Sequence, residues 1–301
     1  MDYSVFEKFC AQTGVQYKLL EPMCCHSGFK TGGNADIFIN IQDIVTLKSV
    51  LQASKALSVP IFVLGKGSNI LVSDRGIEGA VLTLGGMDKI KINGTTVTAE
   101  AGASLTALCV EVQKAGLSGL EFAYGIPGSI GGALFMNAGA YNGEMADVVA
   151  SAKFITKDGV EGEIKKDEMN LGYRQSIFRE NGNIITEVTL ELIPGDECEI
   201  REKMNCLMEK RRSKQPLEFP SAGSTFKRPN GYFAGALIEE SGLKGTNVGG
   251  AQVSVKHAGF VINKGGATTD DILSLMEKIK NTVFEKKGIT LEPEVIFVGR
   301  K

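Results

Sequence analysis

Short apolar runs and stretches of helical periodicity alternate along most of this chain. A short apolar run bounded by glycine or polar residues predicts a strand, whereas apolar positions spaced three and four apart predict a helix. The pattern predicts strands near residues 34–41, 61–64, 80–84, 88–92, 95–101, 147–156, 160–165, 184–193, 250–255, 259–263 and 289–298. It predicts helices over residues 43–58, 104–115, 196–214, 232–241 and 269–287. This mixture indicates an α+β fold class.

Local signals support several of these elements. Asp43 is a preferred helix N-cap, and the helix it starts joins two strands in a β-α-β unit, for which we expect a parallel strand pair. Asn93-Gly94 between two strands is a strong hairpin signal. Asp196 followed three residues later by Glu199 predicts a capping box at a helix start.

Length, composition and charge exclude several classes of protein. The 301 residues favour two domains and allow three small ones, and we place the last boundary at residue 195. Hydrophobic residues make up 43% and charged residues 23%, as in a globular protein with a sizeable core. The net charge of -2 gives no sign of a nucleic-acid partner or an acidic membrane surface. Residues 1–8 lack the pattern of a signal peptide, and no run is apolar enough for a membrane span, so we expect a cytoplasmic protein.

Cysteine and histidine narrow the chemistry further. The six cysteines form no C-x-x-C pair, and a chain of this length has little need of disulfides, so we expect reduced, mostly buried thiols. Only two histidines are present, His26 and His257. We therefore expect no metal site and no Ser-His-Asp triad.

Glycine is the anomaly, because the chain has 37 glycines and they cluster. The first glycine loop, residues 65–69, follows a predicted buried strand, and the second glycine loop, residues 125–139, holds five glycines. Small residues let backbone N–H groups converge on an anion. Each loop alone also fits a plainer interpretation, an ordinary turn for the first and tight packing between domains for the second. Two such loops, each after a strand, favour a bound dinucleotide.

The motifs that carry a family resemblance occur in order along residues 30–298. They are Thr31-Gly32-Gly33, Gly65-x-Gly67-Ser68-Asn69, Gly125-Ile126-Pro127-Gly128-x-x-Gly131-Gly132, Asn137-Ala138-Gly139-Ala140-Tyr141, Tyr173-Arg174-x-Ser176-x-Phe178, Ala222-Gly223-Ser224-x-Phe226-Lys227 and Leu291-Glu292-Pro293-Glu294-Val295. The glycine loops resemble the FAD-binding domain of the vanillyl-alcohol oxidase (PCMH) type. The chain as a whole resembles the UDP-N-acetylenolpyruvoylglucosamine reductase family, in its shorter form without an added substrate-closing loop.

The resemblance implies a non-covalent FAD and NADPH as co-substrate. It implies two FAD-binding lobes, residues 1–75 and 76–195, and a C-terminal substrate-binding domain, residues 196–301. The implied FAD-binding residues are Gly65, Lys66, Gly67, Ser68, Asn69, Gly125, Ile126, Gly128, Ser129, Gly131, Gly132, Asn137, Ala138 and Gly139. If the first loop cradles the phosphates, the substitution Gly67→Val is expected to expel FAD.

The family's reaction reduces the enolpyruvyl ether of UDP-N-acetylglucosamine to UDP-N-acetylmuramate, a peptidoglycan precursor. The resemblance implies that Arg174 stabilises the enolate, that Ser224 donates a proton, and that Glu294 is a second catalytic residue on the last strand. Glu292, on the same strand face, is the weaker candidate. Ile296 stands where the family often has an arginine. The implied substrate ligands are Tyr173, Lys227, Arg228 and His257.

Two other functions fit parts of this pattern. One is a flavin oxidase of the same superfamily that acts on an alcohol. The other is a nucleotide-sugar-binding protein without catalysis. The motif Gly223-Ser224-x-Phe226-Lys227 argues against the first, and the joint presence of Arg174, Ser224 and Glu294 argues against the second.

Overall fold

The computed structural model describes residues 3–301, so Met1 and Asp2, at the start of the segment inspected for a signal peptide, lie outside the described residues. The α-helices are α1 (Ser4–Thr13), α2 (Ile44–Ala56), α3 (Leu105–Lys114), α4 (Ile130–Phe135), α5 (Met145–Val148), α6 (Ile177–Asn181), α7 (Glu197–Lys214), α8 (Ala234–Glu240) and α9 (Thr269–Lys287).

Most of the strands are short. They are β1 (Gln16–Pro22), β2 (Asn34–Asn40), β3 (Ile61–Leu64), β4 (Ile70–Val72), β5 (Ile77–Thr83), β6 (Ile90–Asn93), β7 (Thr96–Glu100), β8 (Leu117–Ser118), β9 (Gly139–Ala140), β10 (Gly143–Glu144), β11 (Val149–Ile155), β12 (Glu161–Lys165), β13 (Ile184–Glu191), β14 (Ile193–Pro194), β15 (Asn247–Val248), β16 (Ala251–Val253), β17 (Val261–Asn263) and β18 (Ile296–Val298).

The chain divides into two compact units that are discontinuous in sequence. Unit 1 comprises residues 1–19, 37–66 and 79–210, and unit 2 comprises residues 20–36, 67–78 and 211–301. Each unit has its own hydrophobic core, with Leu105 and Phe178 fully buried in the first and Ile272 and Val283 in the second. The boundaries predicted at residues 75 and 195 concern which segments contact FAD and substrate, and they stay a prediction.

A five-stranded antiparallel sheet of order β12-β11-β13-β7-β6 forms much of unit 1. The predicted hairpin joins β6 to β7, and Gly94 adopts φ +60° in its turn. A second sheet has the order β1-β2-β5-β3. The parallel partner of β3 is β5, with Ile61 opposite Ala80. The expectation that the two strands of the β-α-β unit pair with each other is therefore wrong, because β5 lies between them.

Unit 2 contains a three-stranded sheet of order β15-β16-β17 and a parallel pair formed by β4 and β18. The predicted strand over 289–298 is wrong for most of its length, since only Ile296–Val298 is a strand. Pro293 has no N–H to donate to a ladder, and it forms a single bridge with Phe226 instead. Glu294 consequently precedes the last strand rather than lying on it.

Side-chain caps place the helix starts close to the predicted positions. The Asp43 carboxylate accepts the Thr46 N–H at 2.7 Å at the start of α2. Asp196 Oδ1 accepts the N–H groups of Cys198 and Glu199 at the start of α7. Each such cap satisfies N–H groups that have no partner within the helix, which explains why these short polar residues mark helix starts so reliably.

The six cysteines are free thiols, but only two of them, Cys10 and Cys109, are buried. The expectation of mostly buried thiols is wrong. Cys24 and Cys25 follow the buried Met23, and Cys198 and Cys206 lie on α7, where Ile200 and Met204 are the buried residues. Burial raises the pKa of the Cys109 thiol to about 12. Along residues 3–301 no helix is both long and apolar enough to cross a membrane.

Candidate active site

Some glycines of the second glycine loop are required by the fold of unit 1 itself. Gly125 has φ +83°, a conformation that side chains with a Cβ rarely adopt. A Cβ at Gly131 would lie 2.8 Å from the Cβ of Ala101, and one at Gly139 would lie 2.7 Å from the carbonyl oxygen of Gly143. These three glycines therefore allow a tight turn or close packing and need no ligand to explain them.

Two glycines of the same loop have no such explanation within the chain. A Cβ at Gly128 would have no atom within 4 Å, and one at Gly132 would make only an ordinary contact of 3.4 Å with Ser129 Oγ. Neither residue has a positive φ. The space beside them is thus open for a group that is not part of the protein, which fits a flat or charged cofactor lying close to the backbone.

The start of the first glycine loop lies at the same place in unit 1. A Cβ at Gly65 would be 3.1 Å from Ser129 Oγ and 3.8 Å from the Cα of Gly132. Ser129 is buried, and its Oγ accepts the Gly132 N–H at 3.3 Å as the N-cap of α4. Lys66, the next residue, is exposed. The structure therefore brings Gly65 together with Ser129 and Gly132, as expected for one shared binding region.

The rest of the first glycine loop belongs to unit 2, and there the prediction for Gly67 needs correction. Gly67 has φ +66°, and a Cβ on it would lie 1.9 Å from the carbonyl oxygen of His26. Its own carbonyl accepts the Gly28 N–H at 2.9 Å. The valine side chain of Gly67→Val would clash with the protein's own backbone at His26, whether or not a phosphate is bound. Loss of FAD in that variant would therefore not identify a phosphate site.

Asn69 connects the first loop to the C-terminal segment within unit 2. Its side-chain Nδ2 donates to the carbonyl oxygen of Glu294 at 3.2 Å, and its own carbonyl accepts the Ile296 N–H at 3.0 Å. Part of the donor capacity that we expected Asn69 to offer a phosphate therefore holds the backbone of Glu294. Ser68, beside it, is half-buried. Ile296, where the family often has arginine, pairs with Ile70 as the first residue of β18.

Arg174 lies in a tight turn of unit 1. Gly172 and Gln175 close the turn through two backbone hydrogen bonds of 3.2 and 3.0 Å. Arg174 itself has φ +54°, and its Nη2 donates to the carbonyl oxygen of Gly139 at 3.3 Å. The guanidinium also lies 5.1 Å from the ring centroid of Tyr173, which is about half exposed. The structure thus places Arg174 and Tyr173 beside the end of the second glycine loop.

The remaining predicted FAD-binding residues of unit 1 are held by internal hydrogen bonds. The Ala138 N–H donates to Ala133 O at 2.8 Å, and the Ile126 N–H donates to Ala123 O at 2.9 Å. The side chain of Asn137 is fully buried. Ile126 and Ala138 are half-buried and offer side-chain surface to a ligand.

Ser224 and Glu294 are brought into neighbouring segments of unit 2 by backbone pairing. The Glu294 N–H donates to Thr225 O, and the Lys227 N–H donates to Glu292 O, each at 2.9 Å. On the other side, the Thr225 N–H donates to Gly259 O at 2.9 Å, and Thr225 Oγ1 accepts the Val261 N–H at 3.0 Å. Thr225 is fully buried, while Ser224 is exposed next to it. The backbone segments that carry the two predicted catalytic residues are therefore held next to each other by the same set of hydrogen bonds.

Two predicted substrate ligands have charged or aromatic neighbours. Lys227 Nζ forms an ion pair with Glu292 at 3.1 Å. The Arg228 guanidinium lies 4.8 Å from the ring centroid of Phe233, whose side chain is 63% exposed. Glu292 is therefore an ion-pair partner of a cation in this region, which explains its presence without a catalytic role.

His257 is half-buried and packs edge-on against Phe260, with ring centroids 5.0 Å apart. Burial lowers the pKa of the imidazole below its ordinary value, so the ring is neutral at pH 7. Its Nδ1 accepts the Gly259 N–H at 3.1 Å, which places the ring proton on Nε2. His257 can donate one hydrogen bond to a ligand, but it does not provide a positive charge for a diphosphate.

Sequence reasoning missed Gly172, Arg179 and Thr225. Gly172 and Arg179 hold the Arg174 turn, since Arg179 Nη1 donates to the carbonyl oxygen of Arg174. Thr225 holds Ser224 and Glu294. The only sequence signal was proximity to the motif residues. Among residues 3–301, no group of three or more His, Cys, Asp or Glu side chains is arranged to hold a metal ion.

Known proteins similar to this chain include flavin-binding proteins. A family model described as an FAD binding domain matches residues 35–163. An alkyldihydroxyacetonephosphate synthase structure, 16% identical, shares this fold with a TM-score of 0.50 over 64% of this chain and 41% of its own. The chain is thus a protein with a flavin-binding domain. A second model, for the C-terminal domain of UDP-N-acetylenolpyruvoylglucosamine reductase, matches residues 215–298.

Full-length relatives then identify the family. UDP-N-acetylenolpyruvoylglucosamine reductase of Clostridium novyi (strain NT) is 49% identical over 92% of this chain and 90% of its own length. The enzyme of Latilactobacillus sakei is 46% identical over 97% of this chain and 96% of its own. The crystal structure of the reductase (MurB) from Thermus caldophilus is 35% identical, with a TM-score of 0.81 over 94% of this chain and 98% of that one. The chain belongs to the UDP-N-acetylenolpyruvoylglucosamine reductase family. The predicted α+β class and family are confirmed.

Proposed function

We propose that this protein uses NADPH to reduce the enolpyruvyl ether of UDP-N-acetylglucosamine to UDP-N-acetylmuramate, with FAD as a non-covalent redox group. The observation that carries this proposal is the 49% sequence identity to the UDP-N-acetylenolpyruvoylglucosamine reductase of Clostridium novyi over 92% of the chain. The chain also retains Arg174, Ser224 and Glu294 at the positions that match the family motifs. The predicted division into FAD-binding lobes 1–75 and 76–195 and a substrate-binding domain 196–301 remains part of this proposal.

The residues of unit 1 fit an FAD on structural grounds. Gly128 and Gly132 leave space that the chain itself does not fill, and Gly65 borders the same space. FAD held there would supply the redox chemistry, by which hydride from NADPH would reach the terminal vinyl carbon of the substrate. A side chain at Gly128 would occupy the space beside the backbone, so glycine at this position lets the cofactor lie close to the chain.

Arg174 has the task of stabilising the charge that the hydride creates. Addition to the terminal carbon leaves a negative charge that spreads into the neighbouring carboxylate as an enolate. A guanidinium stays charged at every relevant pH and binds a carboxylate with two parallel hydrogen bonds. Holding that cation in place before the reaction starts lowers the barrier, because no reorganisation is needed when the charge develops.

Ser224 delivers the proton that completes the reduction at the second vinyl carbon. An alcohol is a weak acid, but an enolate carbon is basic enough to accept its proton from a positioned group. Glu294 is the second catalytic group. A carboxylate repels an enolate unless a proton or a cation neutralises it, so we expect the charge of Glu294 to be neutralised when the enolate forms.

The nucleotide part of the substrate meets the remaining residues of the proposed site. Lys227 and Arg228 provide positive charge for the diphosphate, and Tyr173 an aromatic contact. His257 contributes a neutral Nε2–H donor, which suits a carbonyl or hydroxyl oxygen better than a phosphate. These substrate contacts are assigned by the family motifs and by the charge of each side chain.

Anaerobic absorbance of the purified holoenzyme tests the proposal. We expect NADPH to bleach the flavin spectrum, and the enolpyruvyl nucleotide sugar to restore it with formation of UDP-N-acetylmuramate. An alcohol that bleaches the flavin without NADPH would point to an oxidase instead. A colourless protein that binds the nucleotide sugar and leaves it unchanged would point to a binding protein without catalysis.

A further inference from the structure

Asn137 is a predicted FAD-binding residue whose side chain is fully buried within unit 1. It has no exposed surface even without a cofactor. Its Nδ2 donates to the carbonyl oxygen of Gly172 at 2.9 Å, and its Oδ1 accepts the Ala146 N–H at 2.9 Å. Because one partner is a carbonyl and the other an N–H, the orientation of the amide is fixed by its surroundings. This side chain therefore bonds within unit 1 and does not touch FAD.

Gly172 is the residue that closes the Arg174 turn. Its N–H and carbonyl both bond to Gln175, so Tyr173 and Arg174 are the two residues enclosed by the turn. The carbonyl of Gly172 thus accepts a hydrogen bond from Gln175 and a second from Asn137. A shift of Gly172 would move the Cα of Arg174 with it, because only one residue separates them.

Positive φ angles cluster in this region, and at Arg174 the angle is unusual for the residue type. Among residues 3–301, eight non-glycine residues have a positive φ, and five of them lie in 137–142 and 170–174. Asn137 has φ +41° and Arg174 has φ +54°. A positive φ is disfavoured at a residue such as arginine and persists only where surrounding contacts impose it. The Asn137 amide and the Arg174–Gly139 bond of 3.3 Å are two such contacts.

We propose that Asn137 is a positioning residue for the reduction of the enolpyruvyl substrate, acting through Gly172 to set the place of the Arg174 guanidinium. This inference rests on the proposed function, since it assumes that Arg174 stabilises the enolate. It replaces the expectation that Asn137 contacts FAD. It also gives the Asn137–Gly139 end of the second glycine loop two tasks: Asn137 holds the turn at Gly172, and Gly139 accepts a hydrogen bond from Arg174.

Two variants of Asn137 remove the N–H donor in different ways. Asn137→Gly deletes the amide but tolerates a positive φ, whereas Asn137→Asp keeps the size and the acceptor for Ala146. In stopped-flow experiments with the holoenzyme, we expect both to bind FAD and to be reduced by NADPH at the wild-type rate. Flavin reoxidation at saturating enolpyruvyl nucleotide sugar should slow by about 10- to 100-fold, since a misplacement of about 1 Å can cost that much.

A double-mutant cycle separates positioning from general damage to the fold. If Asn137 acts through Arg174, then Asn137→Gly should change reoxidation by less than about twofold in an Arg174→Ala background, because its target is gone. A merely structural defect would slow the reaction by the same factor in both backgrounds. Additive effects, or an unchanged reoxidation rate in either soluble Asn137 variant, would overturn the proposal.

Asn263 provides a matched control in unit 2. It is also a buried amide whose Nδ2 donates to a backbone carbonyl, that of Phe29 at 2.9 Å, and its Oδ1 accepts the N–H groups of Gly265 and Ala267. Asn263→Asp should lower thermal stability without a selective effect on reoxidation. If the wild-type flavin is not reoxidised by the substrate, the proposed function fails together with this inference. If the wild type is active and the Asn137 variants match it, only the positioning role fails.

Discussion

The two units carry comparable parts of the proposed site but hold them by different means. Unit 2 fixes Ser224 and Glu294 through backbone bonds, with Thr225 and Glu294 joined at 2.9 Å. Unit 1 closes the Arg174 turn with backbone bonds between Gly172 and Gln175 and adds side-chain bonds to them. The Asn137 amide bonds Gly172, and the Arg174 guanidinium bonds the carbonyl of Gly139. The glycines differ in the same sense, since Gly67 in unit 2 fits tightly against its own backbone whereas Gly128 in unit 1 faces open space.

This difference determines what a substitution in each unit can teach. A backbone pairing does not depend on the side chain at Ser224, so a change there reports on chemistry. In unit 1 the side chains themselves define the geometry, so a change at Asn137 reports on position. The glycines behave differently. A substitution at Gly67 in unit 2 tests folding, whereas a substitution at Gly128 in unit 1 tests ligand binding.

The largest expected effect is that of Ser224→Ala. The Ser224 side chain is exposed, so the variant should fold and bind FAD as the wild type does. Reduction by NADPH needs no proton from Ser224 and should be unchanged, whereas reoxidation by the enolpyruvyl substrate should slow by about 10²- to 10⁴-fold, the contribution of a positioned general acid. Stopped-flow absorbance measures both steps. Ser224→Cys, which keeps an acidic proton in nearly the same place, should retain more activity than Ser224→Ala.

Equal slowing of both half-reactions in Ser224→Ala would contradict the comparison. Ser224 would then support the fold rather than the chemistry, and the proton would come from Glu294 or from water. A change at Ser224 would then report on structure, as a change at Asn137 does in unit 1.

Gly128→Val and Gly67→Val should next separate a ligand contact from a packing constraint. Gly128→Val adds its side chain where the protein has no atom within 4 Å of a Cβ, so the apoprotein should unfold at the wild-type temperature. Its affinity for FAD should fall by roughly 5- to 150-fold, which corresponds to about 1–3 kcal/mol of overpacking against the ligand. Titration of the apoprotein with FAD, followed by flavin fluorescence, gives the dissociation constant.

Gly67→Val is the matched control for this experiment. Its Cβ would lie 1.9 Å from His26 O, so the variant should lose thermal stability whether or not FAD is present. Normal FAD affinity in Gly128→Val would remove the second glycine loop from the cofactor site and leave its open glycines without an explanation.

Asn69→Ser tests whether unit 2 needs a side-chain support at all. The variant loses the bond from Nδ2 to Glu294 O, but the bond from Ile296 N–H to Asn69 O remains. A neutral hydrogen bond contributes about 0.5–1.5 kcal/mol, so reoxidation should slow by roughly 2- to 12-fold, less than for the Asn137 variants. A larger loss than in Asn137→Gly, measured at the same substrate concentration, would show that Glu294 also depends on a side-chain support.

The smallest expected effect is that of Glu292→Gln. The Glu292 side chain is 71% exposed, and an exposed ion pair contributes less than about 1 kcal/mol. Removing its charge leaves Lys227 to the substrate diphosphate, so the KM for the nucleotide sugar should fall by less than about fivefold. The change should shrink at high ionic strength, where exposed charges are screened. A rise in KM would mean that Glu292 is needed to orient Lys227.

Local signals in the sequence predicted much of the fold. The caps at Asp43 and Asp196 and the Asn93-Gly94 hairpin are interactions between residues close in the chain, and the structure contains all of them. The pairing of β3 with β5 depends on how the strands assemble into a sheet, which local patterns do not encode. The loss of the strand at Pro293 follows from a proline that cannot donate to a ladder, a local signal that the prediction overlooked. The family resemblance predicted the fold class and the FAD-binding domain, and both are confirmed.

The candidate site was predictable as a set of residues but not as an arrangement. Motifs singled out Asn137 and Gly67 as FAD-binding residues, but they did not show which contacts each residue makes within the fold. Those contacts are made across the fold, with Gly172 in one case and His26 in the other. The ion pair of Lys227 with Glu292 was missed for the same cause, because the two residues are distant in sequence and meet only through the pairing of their backbones. The cytoplasmic location stays a prediction.

The parallel pair of β4 and β18 has a consequence for the order in which the protein is made. β4 is synthesised long before its partner residues Ile296, Phe297 and Val298, because the last segment of unit 1, residues 79–210, lies between them in the sequence. Unit 1 has all of its residues by position 210, whereas unit 2 cannot close its sheet until β18 has left the ribosome. At about 5–20 residues per second, β4 and the Gly67–Asn69 segment beside it wait roughly 10–45 seconds for their partner during translation. A chaperone that acts on this nascent chain would therefore find its exposed strand edge in unit 2.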